Sequence, residues 1–259
     1  MIVRYERNSK VKYGWLVEEE NKVRVIEGDI YKKDANRSTV MTGLELSIED
    51  ITMLTPCTPT KVVCIGVNYK DHAAEMNKQL PKEPLIFLKP STAVIGSGDA
   101  IVYPRLTQNL HYEGELAVVI KKEARKIKAA DADDYILGFT CALDITARDL
   151  QASDGQWSRA KGFDTFCPLG PGIASKLDYN NLQITTTVNG EVRQNSNTSE
   201  MAIKIPQLLE AITAVMTLLP GDVVLTGTPS GVGPLQPGDE ITVSIEGIGS
   251  LTNHVVAEE

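Results

Sequence analysis

A chain of 259 residues is long enough for one large domain, or for one domain with a small appendage. Its 42% hydrophobic and 23% charged residues are those of an ordinary globular protein rather than a disordered chain. A formal net charge of −8, with Lys and Arg scattered along the chain, argues against nucleic acid or an anionic membrane as partner, because both reward a basic patch.

The opening "MIVRYERNSKVKYGW" lacks the apolar core of a signal peptide, and no apolar run approaches the ~18 residues of a membrane span. "KYGWLVEEENKVRVIEGDIY" alternates like two short strands joined by a polar turn. "TGLELSIEDITMLTPCTPTK" closes on Pro56 and Pro59, with Pro81 further on, and suits a linker. Residues 1–59 are therefore expected to form a small β-rich N-terminal domain and residues 60–259 the main one. From Lys61, strand candidates follow one another, among them "KVVCIGVN", "LIFLKP", "ELAVVIKK", "YILGFTCALDI" and "GDVVLTGTP". "VNGEVR" and "IEGIGSL" have the composition of tight hairpins.

Two stretches predict helices, "NYKDHAAEMNKQ" and "IPQLLEAITAVMTL". The second carries Ile205, Leu208, Leu209, Ile212, Val215 and Met216 as a helical stripe. Many strands and few helices predict a sandwich, barrel or roll rather than alternating βαβ units. Walker A and G-x-G-x-x-G patterns are absent. The four cysteines, Cys57, Cys64, Cys141 and Cys167, form no C-x-x-C pair, and Cys64 and Cys141 lie in apolar runs, so a reducing cytoplasm is expected.

The stretch "NLHYEGELAVVI" holds a contradiction. It reads as one strand, Asn109 to Ile120, yet Glu113 and Glu115 project two residues apart to one face. Two carboxylates in an apolar layer are costly unless compensated. About thirty residues later "LGFTCALDITARDLQ" ends an apolar run at Asp144. Three converging carboxylates suit a hard divalent cation, with positions left for water and substrate. The alternative is that the glutamates pair with Lys or Arg at a strand edge. His111 shares the face of Glu113 and is either a further ligand or a supporting histidine. His72 and Glu75 sit at i and i+3 in "DHAAEM", where a carboxylate can orient an imidazole base, or where both simply face solvent. Lys161 in "SRAKGF" is by itself a lone lysine.

The motifs "NYKDHAAEM", "PLIFLKP", "HYEGELAVVI", "FTCALDITARDLQ", "RAKGFDTFCPLGP", "VNGEVRQ" and "LTGTPSGVGPLQPGDEI" occur in that order. With them the chain closely resembles the fumarylacetoacetate hydrolase family from about Lys61 to the C-terminus. The resemblance implies a mostly β (α+β) mixed β-roll, a small N-terminal domain and a homodimer. It implies Mg²⁺ or Mn²⁺ held at Glu113, Glu115 and Asp144, and Lys161 against the substrate oxygens. His72 and Glu75 match the pair on the family's mobile lid, which handles water or the reacting group. Gln151 and Thr228 match positions near the substrate carboxylate. "LDITARDLQ" leans towards the acylpyruvase and oxaloacetate decarboxylase members, which cleave a C–C bond of a 2-oxo acid with a second carbonyl two carbons on. The alternatives are 2-hydroxyhepta-2,4-diene-1,7-dioate isomerase or 5-oxopent-3-ene-1,2,5-tricarboxylate decarboxylase activity in aromatic catabolism, and a non-catalytic metabolite-binding protein.

Overall fold

The computed structural model describes residues 1–31, 40–77 and 79–259. The N-terminal strands are β1 (Ile2–Arg7), β2 (Lys10–Val17), β3 (Lys22–Glu27), β4 (Val40–Ser47) and β5 (Thr52–Leu54). They are antiparallel, and their period of two turns Val3, Tyr5, Leu16, Val23, Val25 and Leu46 into a small core of their own. The stretch from Thr42 to Lys61, expected to be a linker, instead supplies most of β4 and all of β5. Leu44 faces out and Leu46 in, while Pro56 and Pro59 fall after β5, where they interrupt no ladder.

The remaining strands are β6 (Val62–Gly66), β7 (Leu85–Lys89), β8 (Val94–Ile95), β9 (Ala100–Tyr103), β10 (Leu110–Tyr112), β11 (Gly114–Ile120), β12 (Ile136–Leu143), β13 (Thr146–Ala147) and β14 (Cys167–Ala174). After them come β15 (Gln183–Val188), β16 (Glu191–Asn197), β17 (Val223–Leu225), β18 (Gly233–Pro234), β19 (Glu240–Ile245) and β20 (Gly249–Ala257). The main sheet runs β4-β3-β2-β1-β14-β12-β11-β17-β6-β7, and β1 joins it by Ile2 opposite Ile173. A five-stranded sheet, β16-β15-β19-β20-β9, lies across β11, β12 and β14. The two expected hairpins are β15–β16, turning at Asn189-Gly190, and β19–β20.

Both faces of the central strands are covered. Leu116, Val118 and Ile120 face one core and Ala117 and Val119 another. A strand buried on both sides reads as a continuous apolar run, as β11 does. Four helices complete the fold: α1 (Lys70–Glu75), α2 (Arg148–Asp154), α3 (Ser158–Lys161) and α4 (Ile205–Val215). Among the described residues no helix is long and apolar enough to cross a membrane.

The helix expected over 68–79 is shorter. Tyr69 is extended and bridges to Met201, and the Asn68 carbonyl accepts the Ala202 N–H, so these two residues are drawn into pairing instead. Asn77, in the left-handed region at φ 52°, marks its other end; Lys78, within the expected span, lies outside the described residues. In α4 the stripe holds through Ile205, Leu208, Leu209 and Ile212, whereas Val215 is 72% exposed because the helix runs out past the core there.

Candidate active site

The expected single strand from Asn109 to Ile120 is two strands in two sheets, parted at Glu113. β10 pairs with β13 and β18, whereas β11 lies in the main sheet between β12 and β17. The cause is Gly114. Its N–H donates to Gln194 Oε1 at 2.9 Å, and a Cβ there would stand 2.1 Å from Thr186 Oγ1. Only glycine lets the β15–β16 hairpin approach so closely. The break leaves Glu113 and Glu115 converging on Asp144, which directly follows β12 and whose N–H bonds the Glu113 carbonyl at 2.8 Å. Carboxylate oxygens of the three lie within 4.8 Å of one another, and all three residues are buried.

Three cations answer them. Lys161 Nζ is 2.8 Å from Glu113 Oε2 and 2.7 Å from Asp144 Oδ2. Lys89 Nζ is 2.7 Å from Asp144 Oδ1 and donates to the carbonyls of Ile145, Lys161 and Phe166. Arg148 donates to Glu113 and, at 2.9 Å, to Gln151 Oε1. Burial opposes ionisation of Glu113, but Arg148 and Lys161 outweigh it and hold the carboxyl well below the usual range. Burial also works against the charge on Lys161, and Asp144 with Glu113 more than restores it. Glu115 makes no ion pair among the described residues. It accepts the Gly227 N–H at 2.6 Å, and burial together with Asp144 and Glu113 pushes its carboxyl well above the usual range. Gly227 reaches it from φ 99°, where a Cβ would lie 2.8 Å from Asn68 Cβ. Three hard oxygen donors, one of them without a cationic partner, fit a divalent ion such as Mg²⁺ or Mn²⁺. Both sequence readings of the glutamates thus hold in part: Glu113 and Asp144 are ion-paired, and all three remain grouped as a metal would need.

One cleft brings together His72, Glu113, Glu115, Gln151, Lys161 and Thr228. Asp144 lies beneath it, fully buried, and Glu75 stands behind His72 with its Oε2 3.0 Å from Nδ1. That contact leaves Nε2 as the histidine atom available to the cleft. Arg148 occupies the carbonyl oxygen of Gln151, so the amide NH₂ remains as donor. The Thr228 hydroxyl donates to the Gly114 carbonyl and accepts from Gln194, which ties it into the scaffold at the cleft wall. Lys161 is not a surface charge: α3 buries it with its ammonium 4.9 Å from the Phe87 ring centroid. Phe87 and Trp157, edge to face at 5.1 Å, form an apolar wall. His111 lies outside the carboxylate group. Burial and Arg148 pull its pKa down to about 4, which marks a neutral supporting imidazole.

Sequence reasoning missed Lys89, Arg148 and Gln194. Lys89 left a signal, a lysine closing the apolar strand "LIFLK", whereas Arg148 and Gln194 stand in polar stretches that point nowhere in particular.

The model of the fumarylacetoacetate (FAA) hydrolase C-terminal domain matches residues 61–256. The chain belongs to the fumarylacetoacetate hydrolase family. The bovine mitochondrial oxaloacetate tautomerase FAHD2A is 47% identical over 220 residues, 80% of this chain and 70% of that one. The crystal structure of a 2-hydroxyhepta-2,4-diene-1,7-dioate isomerase from Mycobacterium marinum superposes with a TM-score of 0.90 at 42% identity, over 99% of this chain and 98% of the other. A fumarylpyruvate hydrolase from Pseudomonas aeruginosa, solved with Mn²⁺ and pyruvate, is 35% identical at a TM-score of 0.72, covering 76% of this chain and 90% of that one. The mostly β fold expected from the sequence is the fold of these family neighbours.

Proposed function

We propose that this family member is a divalent-metal-dependent enzyme of 2-oxo acids that works through the enol, its first reaction being keto–enol tautomerisation of oxaloacetate. The observation that carries this reading is the single cleft in which the carboxylate trio, two cations and one buried histidine with its own carboxylate stand together. A Mg²⁺ or Mn²⁺ ion held by Glu113, Glu115 and Asp144 would supply Lewis-acid polarisation of the 2-oxo group. His72, through Nε2, takes the proton from the carbon next to that group and returns one, while Glu75 at Nδ1 steadies the imidazolium. The Lys161 ammonium and the Gln151 NH₂ meet the substrate's oxyanion and carboxylate, and the Phe87–Trp157 wall excludes water. Tautomerisation asks for one proton-transfer group, and the cleft offers one; the 47% identity to an oxaloacetate tautomerase supports the choice.

The second reading is C–C bond cleavage, acylpyruvate hydrolysis or oxaloacetate decarboxylation. It leaves the same enolate, and the similarity to a fumarylpyruvate hydrolase solved with pyruvate favours it. Following the loss of enol-oxaloacetate absorbance beside pyruvate release from oxaloacetate and acetylpyruvate, each with Mn²⁺ and with excess chelator, separates the two. Metal-dependent enol loss without pyruvate supports the tautomerase, and metal-dependent pyruvate supports cleavage. If the folded protein shows neither while 2-hydroxyhepta-2,4-diene-1,7-dioate is converted, the isomerase reading takes their place. No turnover of any of these leaves a metabolite-binding protein.

A further inference from the structure

α1 carries His72 and Glu75, yet little in the helix itself fixes it. Six residues are too few for a helix to persist alone, and only His72 and Ala73 of the six are buried. What holds it is a pair of carboxylate tethers, both to the same loop. Asp71 Oδ2 accepts the Ser230 hydroxyl at 2.9 Å and the Ser196 hydroxyl of β16 at 3.4 Å, while its Oδ1 accepts the His72 N–H at 2.8 Å. One turn on, Glu75 Oε1 accepts the Gly231 N–H at 2.9 Å and leaves Oε2 for His72.

The loop that receives both tethers also serves the carboxylate trio. In "TGTPSG", residues 226–231, Gly227 N–H holds Glu115, the Thr228 hydroxyl holds the Gly114 carbonyl, Ser230 holds Asp71 and Gly231 holds Glu75. Gln194 braces the loop from below, its Nε2 donating to Thr228 Oγ1 at 2.8 Å and to the Pro229 carbonyl at 2.9 Å. Six consecutive residues thus set the distance between the carboxylate group and the histidine.

We propose that Asp71 is a positioning residue, which through Ser230 fastens α1 to the 226–231 loop and so places His72 against the carboxylate group. The proposal rests on the reading of His72 as the proton-transfer residue. The residues that meet the substrate's carboxylate, Gln151 and Lys161, lie on other helices, so loosening α1 costs turnover rather than binding.

Kinetics of Asp71→Ala, Asp71→Asn and Ser230→Ala with oxaloacetate and Mn²⁺, together with amide hydrogen exchange over residues 70–76, test this. Loss of hydrogen bonds to a carboxylate should cost about tenfold or more in kcat in Asp71→Ala, with KM within about twofold. Ser230→Ala, the milder change, should follow in the same direction. Asp71→Asn keeps an oxygen acceptor for the helix and an amide that can bond Ser230, and should recover most of the loss. Exchange over 70–76 should quicken in Asp71→Ala, with the rest of the chain unaffected, and return towards wild type in Asp71→Asn. Exchange needs no turnover, so it decides the tether even if wild-type enzyme leaves every 2-oxo acid unchanged, the result that would sink the functional reading instead. Unaltered kcat and exchange in Asp71→Ala and Ser230→Ala, or a rise in KM alone, would overturn the proposal.

Discussion

At the scale of single residues the site is a problem in charge. Glu113 and Asp144 are ionised at the expense of Lys161, Arg148 and Lys89, and Glu115 is left to a backbone N–H. A metal bound only by the native state adds about 2.7 kcal/mol of stability at a hundred times its Kd. In wild type, Mn²⁺ should therefore raise Tm by several degrees, and Glu115→Gln or Asp144→Asn should abolish both that shift and metal-dependent turnover. Unchanged shifts in both variants would remove the trio from the site. Lys89 is a different case, because its ammonium touches Asp144 and three carbonyls but does not line the cleft. Lys89→Met strips a fully buried carboxylate of one partner and should cost about 3–5 kcal/mol in urea unfolding; a loss under 1 kcal/mol would mean that Lys161 alone suffices.

The decisive event among the elements is the parting of β10 from β11. An unbroken strand would keep Glu113 within the ladder of one sheet. The break lets the chain step between sheets, so that Glu113 and Glu115 aim at Asp144 from two directions. Gly114→Ala places a methyl 2.1 Å from Thr186 Oγ1, and the β15–β16 hairpin must shift to admit it. Overpacking of this kind costs about 1–3 kcal/mol. Denaturant melts should show that loss, and the Mn²⁺-induced rise in Tm should shrink with it, because the two glutamates move apart. Full metal response in a destabilised Gly114→Ala would separate the break from the site.

At the scale of the whole molecule, burial governs the thiols. All four cysteines are free and buried. Burial pushes Cys57, Cys141 and Cys167 up to about 12 and Cys64 well above its ordinary value. A thiol-specific reagent at pH 8 should find none in the native protein and four after denaturation; a fast-reacting native thiol would contradict the packing. The linkage has a definite sign. The folded state keeps these protons where the unfolded chain releases them, near pH 9, so their contribution is complete below pH 9 and lost as pH climbs towards 12. Urea midpoints should fall steadily over that interval.

How much of this was legible in the chain divides by distance. Alternation, turn composition and apolar runs are local, so most main strands, both hairpins and the buried stripe of α4 could be read from Ile205, Leu208 or Asn189-Gly190 alone. The ordered motifs carried the family, and with it the set of residues the cleft brings together. What the sequence could not state were relations across many residues: the tethers of Asp71 and Glu75 to Ser230 and Gly231 span 159 and 156 positions, and Lys89 meets Asp144 from another strand. The split at Glu113 belongs to the same group, since it depends on a hairpin eighty residues further on pressing against Gly114. The sequence by itself determined which segments become strands and which side chains are available, because those follow from neighbours one to four residues away. Only the tertiary structure decided which carboxylates share a cation and which stand alone, because charge compensation in a buried site depends on separations in space that no local pattern encodes.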